Sequence, residues 1–153
     1  MATVLASLAA ARVAFPQTLV KPNLQGADIQ VLVSTYTVPA GGQAIGDVIS
    51  WGFLPLGARL MPGTKFYFGA GAASSGINLG DAVLANRYMT TASLAAAGSA
   101  VAENQYAGGA LFEVGVVKPN DATDMSELRS QVLGAALQAG QVITLVAQYA
   151  GQN

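Results

Sequence analysis

The chain of 153 residues contains neither cysteine nor histidine. This absence excludes thiolate nucleophiles, imidazole bases, disulfide frameworks and the usual ligand sets of zinc and haem. Any catalysis would have to use carboxylates, lysine, serine or tyrosine, and the serines have no histidine to activate them. The sequence therefore predicts a protein that is not an enzyme and that uses neither a cofactor nor a metal ion.

Charged residues are also scarce, at 10% of the chain. The seven Lys and Arg residues against eight Asp and Glu residues leave a formal net charge of −1. Proteins that bind nucleic acids neutralise phosphates with a basic face, so this balance predicts no nucleic-acid partner. A surface with so little charge is typical of a protein that works within an assembly.

Long uninterrupted apolar runs are missing as well. Residues 1–15 are mostly apolar, but Arg12 lies within the run and Pro16 follows it. A membrane-spanning helix needs about 20 apolar residues, and a signal peptide carries its positive charge before the apolar stretch. We expect neither a membrane span nor a signal peptide.

Segments rich in β-branched and aromatic residues, separated by glycine and proline turns, predict strands. In the predicted strand at residues 47–54, alternation places Ile49, Trp51 and Phe53 on one buried face. Residues 91–102 are rich in alanine and favour a short helix or a flexible connection. Residues 125–137 fit either a helical face or a hairpin. The predicted strands are residues 28–38, 47–54, 64–68, 110–117 and 141–149.

This pattern predicts an all-β fold. Antiparallel chains of this size usually form sandwiches or jelly rolls. We therefore expect an antiparallel, jelly-roll-like β-sandwich as one domain over residues 26–153. An extended N-terminal arm, residues 1–25, precedes it.

The few charged residues suggest two ion pairs, Asp47 with Arg59 and Asp81 with Arg87. Buried charges need partners, so structural pairs that hold loops are the expected role. The glycine-rich residues 69–76 lack the Lys-Ser/Thr pair of a phosphate-binding loop and are expected to connect two strands.

Two further patterns have alternative interpretations. The segment NDATD (residues 120–124) could bind calcium, but its spacing matches an Asx-type turn better than an EF-hand loop. Trp51, Tyr36, Tyr67 and Tyr106 could form a platform on which sugars stack, although Trp51 in such a strand is more often part of a core.

Four stretches of the chain resemble one known family. They are AGGQAIGDVISWGFLPLGARL (residues 40–60), INLGD (77–81), ANRYM (85–89) and GQVITLVAQY (140–149). They are similar to motifs of the decoration, or cement, proteins of tailed bacteriophages, small chains encoded beside the major capsid protein. The resemblance extends from about residue 36 to residue 149. Its motif residues are Asp47, Arg59, Asp81, Arg87 and Tyr88.

The resemblance implies a jelly-roll-like protein on the outer surface of the mature head. It implies a virion location, synthesis in the host cytoplasm, the major capsid protein as partner, and dimers or trimers of the chain itself. Other virion roles, such as a head fibre, spike or tail component, remain open, as does a carbohydrate-binding jelly roll.

The arm is the expected gripping element, because its apolar residues cannot be buried within the arm alone. An extended arm can add to the sheet edge of a neighbour, with Arg12 anchored on a carboxylate or carbonyl group. The alternative is an arm that folds back on its own domain. The expected contact residues are Leu5, Leu8, Arg12, Val13 and Phe15.

Overall fold

A computed structural model describes residues 29–55, 58–102 and 125–150. These residues form β-strands and turns, and no helix lies among them. The predicted all-β class is therefore confirmed. The strands are β1 (Ile29–Thr37), β2 (Val48–Pro55), β3 (Arg59–Leu60), β4 (Lys65–Phe68), β5 (Gly76–Leu79), β6 (Met89–Ser93), β7 (Gly98–Val101), β8 (Met125–Leu133) and β9 (Val142–Ala150).

The strand pairs are nested along the chain. β1 pairs with β9, β2 with β8, β4 with β7 and β5 with β6, all antiparallel. The chain thus forms one long two-stranded ribbon. The ribbon is folded so that β4 also pairs with β9 and β5 also pairs with β8. The result is an antiparallel sandwich of a β1-β9-β4-β7 sheet, to which β3 adds beside β9, and a β2-β8-β5-β6 sheet. This nested order is that of a jelly roll, as predicted.

The core lies between the two sheets and is centred on Trp51. Its ring packs edge-on against Tyr36, at 6.5 Å between centroids, and against Phe66, at 5.3 Å. Alternate residues of β8 and β9 point inward, so Leu128 and Leu145 are fully buried while their neighbours face outward. Burial of these apolar side chains is the main term that holds the sheets together.

One prediction about the core is wrong. Ile49 and Trp51 are buried as expected, but Phe53 is 50% exposed and Leu54 is fully buried instead. The register of β2 against β8 shifts between Ser50 and Gly52. A β-bulge inserts one extra residue, so the inward-outward alternation reverses after it.

The two segments for which the sequence left alternatives open, residues 91–102 and 125–137, both contain β-strands. Residues 89–93 and 98–101 are β6 and β7, so the expectation of a helix or a flexible connection over 91–102 is wrong. Ala92 is buried in the core and β7 pairs with β4, and tertiary pairing of this kind outweighs the helix propensity of alanine. Residues 125–133 form β8, which lies between β2 and β5. β8 and β9 belong to opposite sheets, so their connection crosses the sandwich and is not a hairpin.

Several predictions concern residues outside the described ranges. They are the arm of residues 1–25, the strand at 110–117 and the turn at 120–124. Within the described ranges, no helix is long and apolar enough to cross a membrane.

Candidate interaction surfaces

The loop between β5 and β6 is organised by one buried carboxylate. Asp81 Oδ1 accepts hydrogen bonds from the backbone N–H groups of Val83, at 2.9 Å, and Leu84, at 2.8 Å. Asp81 Oδ2 accepts from Arg87 Nε at 2.6 Å. The expected ion pair between Asp81 and Arg87 is therefore present, and the carboxylate joins both ends of the loop.

The residues that flank this loop hold it against the sheet. Gly80 exchanges two backbone hydrogen bonds of 2.9 Å with Arg129 of β8. A Cβ atom at Gly80 would lie only 2.1 Å from the carbonyl oxygen of Leu84, so the loop can close only over glycine. At the other end Tyr88 is fully buried, and its N–H donates to the carbonyl of Leu79 at 2.9 Å. The loop is thus fixed at both ends.

This anchored loop presents apolar side chains to solvent. Val83 is 61% exposed and Leu84 is 46% exposed, and Val48 of β2 is 55% exposed nearby. A cavity of about 240 Å³ lies among Val48, Val83 and the polar residues Arg129 and Gln131. We call Val48, Val83, Leu84 and this cavity the loop surface. The cavity lining combines apolar and polar side chains, which suits the insertion of a partner's side chain.

Asp47, which was predicted to pair with Arg59, is hydrogen bonded to residues of the turn before β2. Asp47 Oδ2 accepts from Gln43 Nε2 at 2.5 Å and from the N–H of Ala44 at 3.0 Å. Gln43 Oε1 in turn accepts from the hydroxyl of Tyr36 at 2.5 Å. Asp47 thus stabilises the turn before β2, whereas Arg59 lies in β3 opposite Ala150.

A second apolar surface lies on the outer face of the five-stranded sheet. Ile29, Val31 and Val33 of β1 are 61%, 54% and 65% exposed, and we call these three residues the β1 stripe. Farther along the strand, the hydroxyls of Thr35 and Thr144 are hydrogen bonded at 2.9 Å. Sequence reasoning predicted this strand but not the stripe, because both of its faces carry apolar residues.

In the part of the chain that the structure describes, the predicted sugar-stacking residues Tyr36, Trp51 and Tyr67 do not share one exposed face. Trp51 is buried, and its Nε1 donates a 2.7 Å hydrogen bond to Ser130 Oγ inside the core. The exposed aromatic rings Tyr67 and Phe53 belong to opposite sheets. Tyr106 lies outside the described residues.

In a chain without histidine or cysteine, a metal ion would need several carboxylates that lie close together. Among residues 29–55, 58–102 and 125–150, no three carboxylates lie together in such an arrangement. This part of the chain does present two apolar surfaces, the loop surface and the β1 stripe. The predicted contact residues Leu5, Leu8, Arg12, Val13 and Phe15 lie outside it.

The fold is similar to chains of two solved phage structures. One belongs to the "Capsid of Ralstonia phage GP4", with a TM-score of 0.63 and 17% identity over 82% of this chain and 86% of that chain. The other belongs to the "Cyanophage Pam1 capsid asymmetric unit", with a TM-score of 0.59 and 21% identity over the same shares. No family model and no curated protein matches the chain. At these identities the likeness establishes a shared fold.

Proposed function

We propose that this chain is a structural protein of a tailed-phage virion, which binds the outer surface of the head and cements neighbouring major capsid protein subunits. The observation that carries the proposal is the fold likeness to chains of two phage capsids over 82% of this chain. The matched shares of both chains are similar, so those capsid chains are close to this one in length. The likeness therefore extends over most of both chains.

The character of the described surface supports an adhesive role. A cement protein needs a rigid scaffold that presents apolar groups to a neighbour, and the loop surface has this form. Asp81 and Gly80 fix the loop, and Val83 is 61% exposed at its tip. Each copy needs only a modest interface, because many copies on one shell multiply the total adhesion.

The arm is proposed as the second gripping element. Leu5, Leu8, Val13 and Phe15 are apolar residues within an N-terminal segment of low charge. An extended segment of this kind can add to a neighbour's sheet edge or lie in a groove between subunits. In this proposal the protein has no catalytic activity, needs no cofactor or metal ion, and contacts neither nucleic acid nor membrane.

Binding to heads is the direct test. Purified protein is mixed with expanded heads of the phage that encodes it, prepared without this chain, and the mixture is sedimented. We expect saturable binding at a fixed ratio to the major capsid protein. Bound heads should also release DNA at a higher temperature, since a ligand of the assembled state stabilises it. No co-sedimentation at saturating protein would contradict the proposal.

Two variants locate the contacts. Deletion of residues 2–25 should abolish head binding while the circular dichroism spectrum retains its β-sheet signal. Val83→Asp should weaken binding, because it places a charge in an apolar contact. Ser93→Asp, which adds the same charge at an exposed position of β6, serves as its control and should bind normally. Binding to purified tails in place of heads would favour the alternative of a tail component.

A further inference from the structure

Among the described strands, β1 lies at the edge of its sheet and lacks the features that normally protect such an edge. Natural edge strands carry lysine, proline or a bulge, or are short, and so avoid pairing with other chains. β1 has nine residues, IQVLVSTYT, with no charge and no proline. Its register with β9 is unbroken from Ile29 to Thr37. No described strand pairs with its other edge.

The backbone of β1 shows which groups are available at this edge. Just beyond the strand, the N–H of Val38 donates to the carbonyl of Gln141 at 2.9 Å, on the side of β9. Backbone groups of alternate residues point to opposite edges of a strand. The even-numbered residues of β1 therefore face β9, and the N–H and C=O groups of the odd-numbered residues face the open edge.

The hydroxyl contact between Thr35 and Thr144 agrees with this assignment. Odd-numbered residues would then form the non-hydrogen-bonded pairs with β9, in which side chains lie closest. The two hydroxyl oxygens are 2.9 Å apart. The same odd-numbered residues carry the β1 stripe, so the apolar side chains and the backbone groups that no described strand pairs with belong to one set of positions.

We propose that this edge pairs with β1 of a second copy of the chain, antiparallel and about a two-fold axis at Val33. Val33 is the central residue of the strand, so this register places Val33 opposite Val33 of the second copy and Val31 opposite Thr35 of the second copy. No like charges face each other, because the strand has none. About ten inter-strand hydrogen bonds would form over the nine residues.

This pairing gives a closed dimer. A two-fold contact uses the same surface on both copies and consumes the open edge of each, so it yields a dimer and not a fibre. It also gives Ile29, Val31 and Val33 apolar or hydroxyl-bearing neighbours across the strand, which is the ordinary way in which side chains stabilise a sheet. The inference does not depend on the proposed capsid role, since it concerns the protein in solution.

The first test is the mass of the protein in solution without heads. Sedimentation equilibrium should give twice the mass of one chain for the wild type. Val33→Lys should give the mass of one chain, because two ammonium groups would face each other at the axis. Ile45→Lys is the matched control, since Ile45 is 59% exposed and lies outside β1, and it should remain dimeric. A monomeric wild type, or a dimeric Val33→Lys protein, overturns the proposal.

A cysteine placed at the axis provides the second test, and the chain has no cysteine of its own to interfere. Opposed residues in a hydrogen-bonded antiparallel pair have Cα atoms about 5.5 Å apart, which a disulfide can span. Val33→Cys should form covalent dimers under mild oxidation, and Ile45→Cys should form few. Equal cross-linking of both variants would indicate random collision and count against the proposal.

The competing occupant of this edge is the segment of the same chain that precedes β1. In that case the wild type is a monomer, and deletion of residues 2–25 exposes the edge and produces dimers. That result overturns self-pairing. A wild type and a deletion variant that are both dimeric, with Val33→Lys monomeric, support it. Head binding is measured separately, so failure of either proposal can be recognised on its own.

Discussion

Trp51 and Ser130 are joined by a buried hydrogen bond between two neighbouring strands of the four-stranded sheet. The indole Nε1 donates to the Ser130 Oγ at 2.7 Å, and both residues are at least 97% buried. Trp51 lies on β2 and Ser130 lies on β8, next to the position where the register of the two strands shifts. A serine inside an apolar core is explained by this contact, because a buried indole N–H needs an acceptor.

Replacement of Ser130 by alanine should therefore destabilise the fold. Ser130→Ala leaves the indole N–H buried without its partner, and such a loss costs about 1–3 kcal/mol. The measurement is urea unfolding followed by the fluorescence of Trp51, the single tryptophan of the chain. Ser93→Ala, at an exposed position, is the control and should unfold like the wild type. An unchanged midpoint for Ser130→Ala would show that the indole finds another acceptor.

Gly80 should not tolerate even a methyl group. The added carbon of Gly80→Ala would lie 2.1 Å from the Leu84 carbonyl oxygen, which is backbone and cannot swing away. Overpacking of this kind costs about 1–3 kcal/mol. We expect a lower thermal midpoint, together with faster amide hydrogen exchange at Val83 and Leu84.

The control for this prediction is another glycine in open space. A Cβ atom at Gly41 would have no neighbour within 4 Å. Gly41→Ala should therefore change the free energy of unfolding by no more than about 0.5 kcal/mol. If both variants had the same stability, the close approach between Gly80 and Leu84 would not be a constraint on the loop.

Features that depend on neighbouring residues can be predicted from this sequence, whereas features that depend on contacts between distant strands cannot. Strand β9 is predictable because its residues, VITLVAQYA, include several β-branched residues and a tyrosine and contain neither glycine nor proline. The pair of Asp81 with Arg87 is suggested by the scarcity of charge. The position of Phe53 is not predictable by alternation, since a bulge shifts the period and leaves no obligatory mark in the residues. Strand β8 is not predictable either, because its pairing with β2 on one side and β5 on the other decides that the segment is a strand and not a helix.

The two candidate surfaces also differ in how far the sequence reveals them. The pair of Asp81 and Arg87 can be found from its residues, since charged residues make up only 10% of the chain. The exposure of Val83 and Leu84 is known only from the structure. The β1 stripe cannot be found so easily, because Leu32 and Tyr36 on one face are as apolar as Val31 and Val33 on the other. Only the pairing of β1 with β9, and the packing of Leu32 near Gly52, show which face is buried.

The ion pair of Asp81 and Arg87 should be energetically coupled. Arg87→Leu leaves a buried carboxylate without its charged partner, and breaking a buried pair in this way costs about 3–5 kcal/mol. Asp81→Asn keeps an oxygen for the N–H groups of Val83 and Leu84 but removes the charge. The double variant should therefore lose less stability than the two single losses added together. Additive losses in the free energy of unfolding would show that the two side chains act independently.

Because of the bulge in β2, truncation of Leu54 should cost more stability than truncation of Phe53. Alternation from Ile49 and Trp51 would bury Phe53 and expose Leu54, whereas the structure exposes half of Phe53 and buries Leu54 completely. Leu54→Ala should therefore cost about 2–5 kcal/mol, because it opens a cavity in the core, while Phe53→Ala should cost much less. Urea unfolding of both variants measures the difference. A larger loss for Phe53→Ala would mean that β2 runs without the bulge, and would place Phe53 in the core beside Trp51.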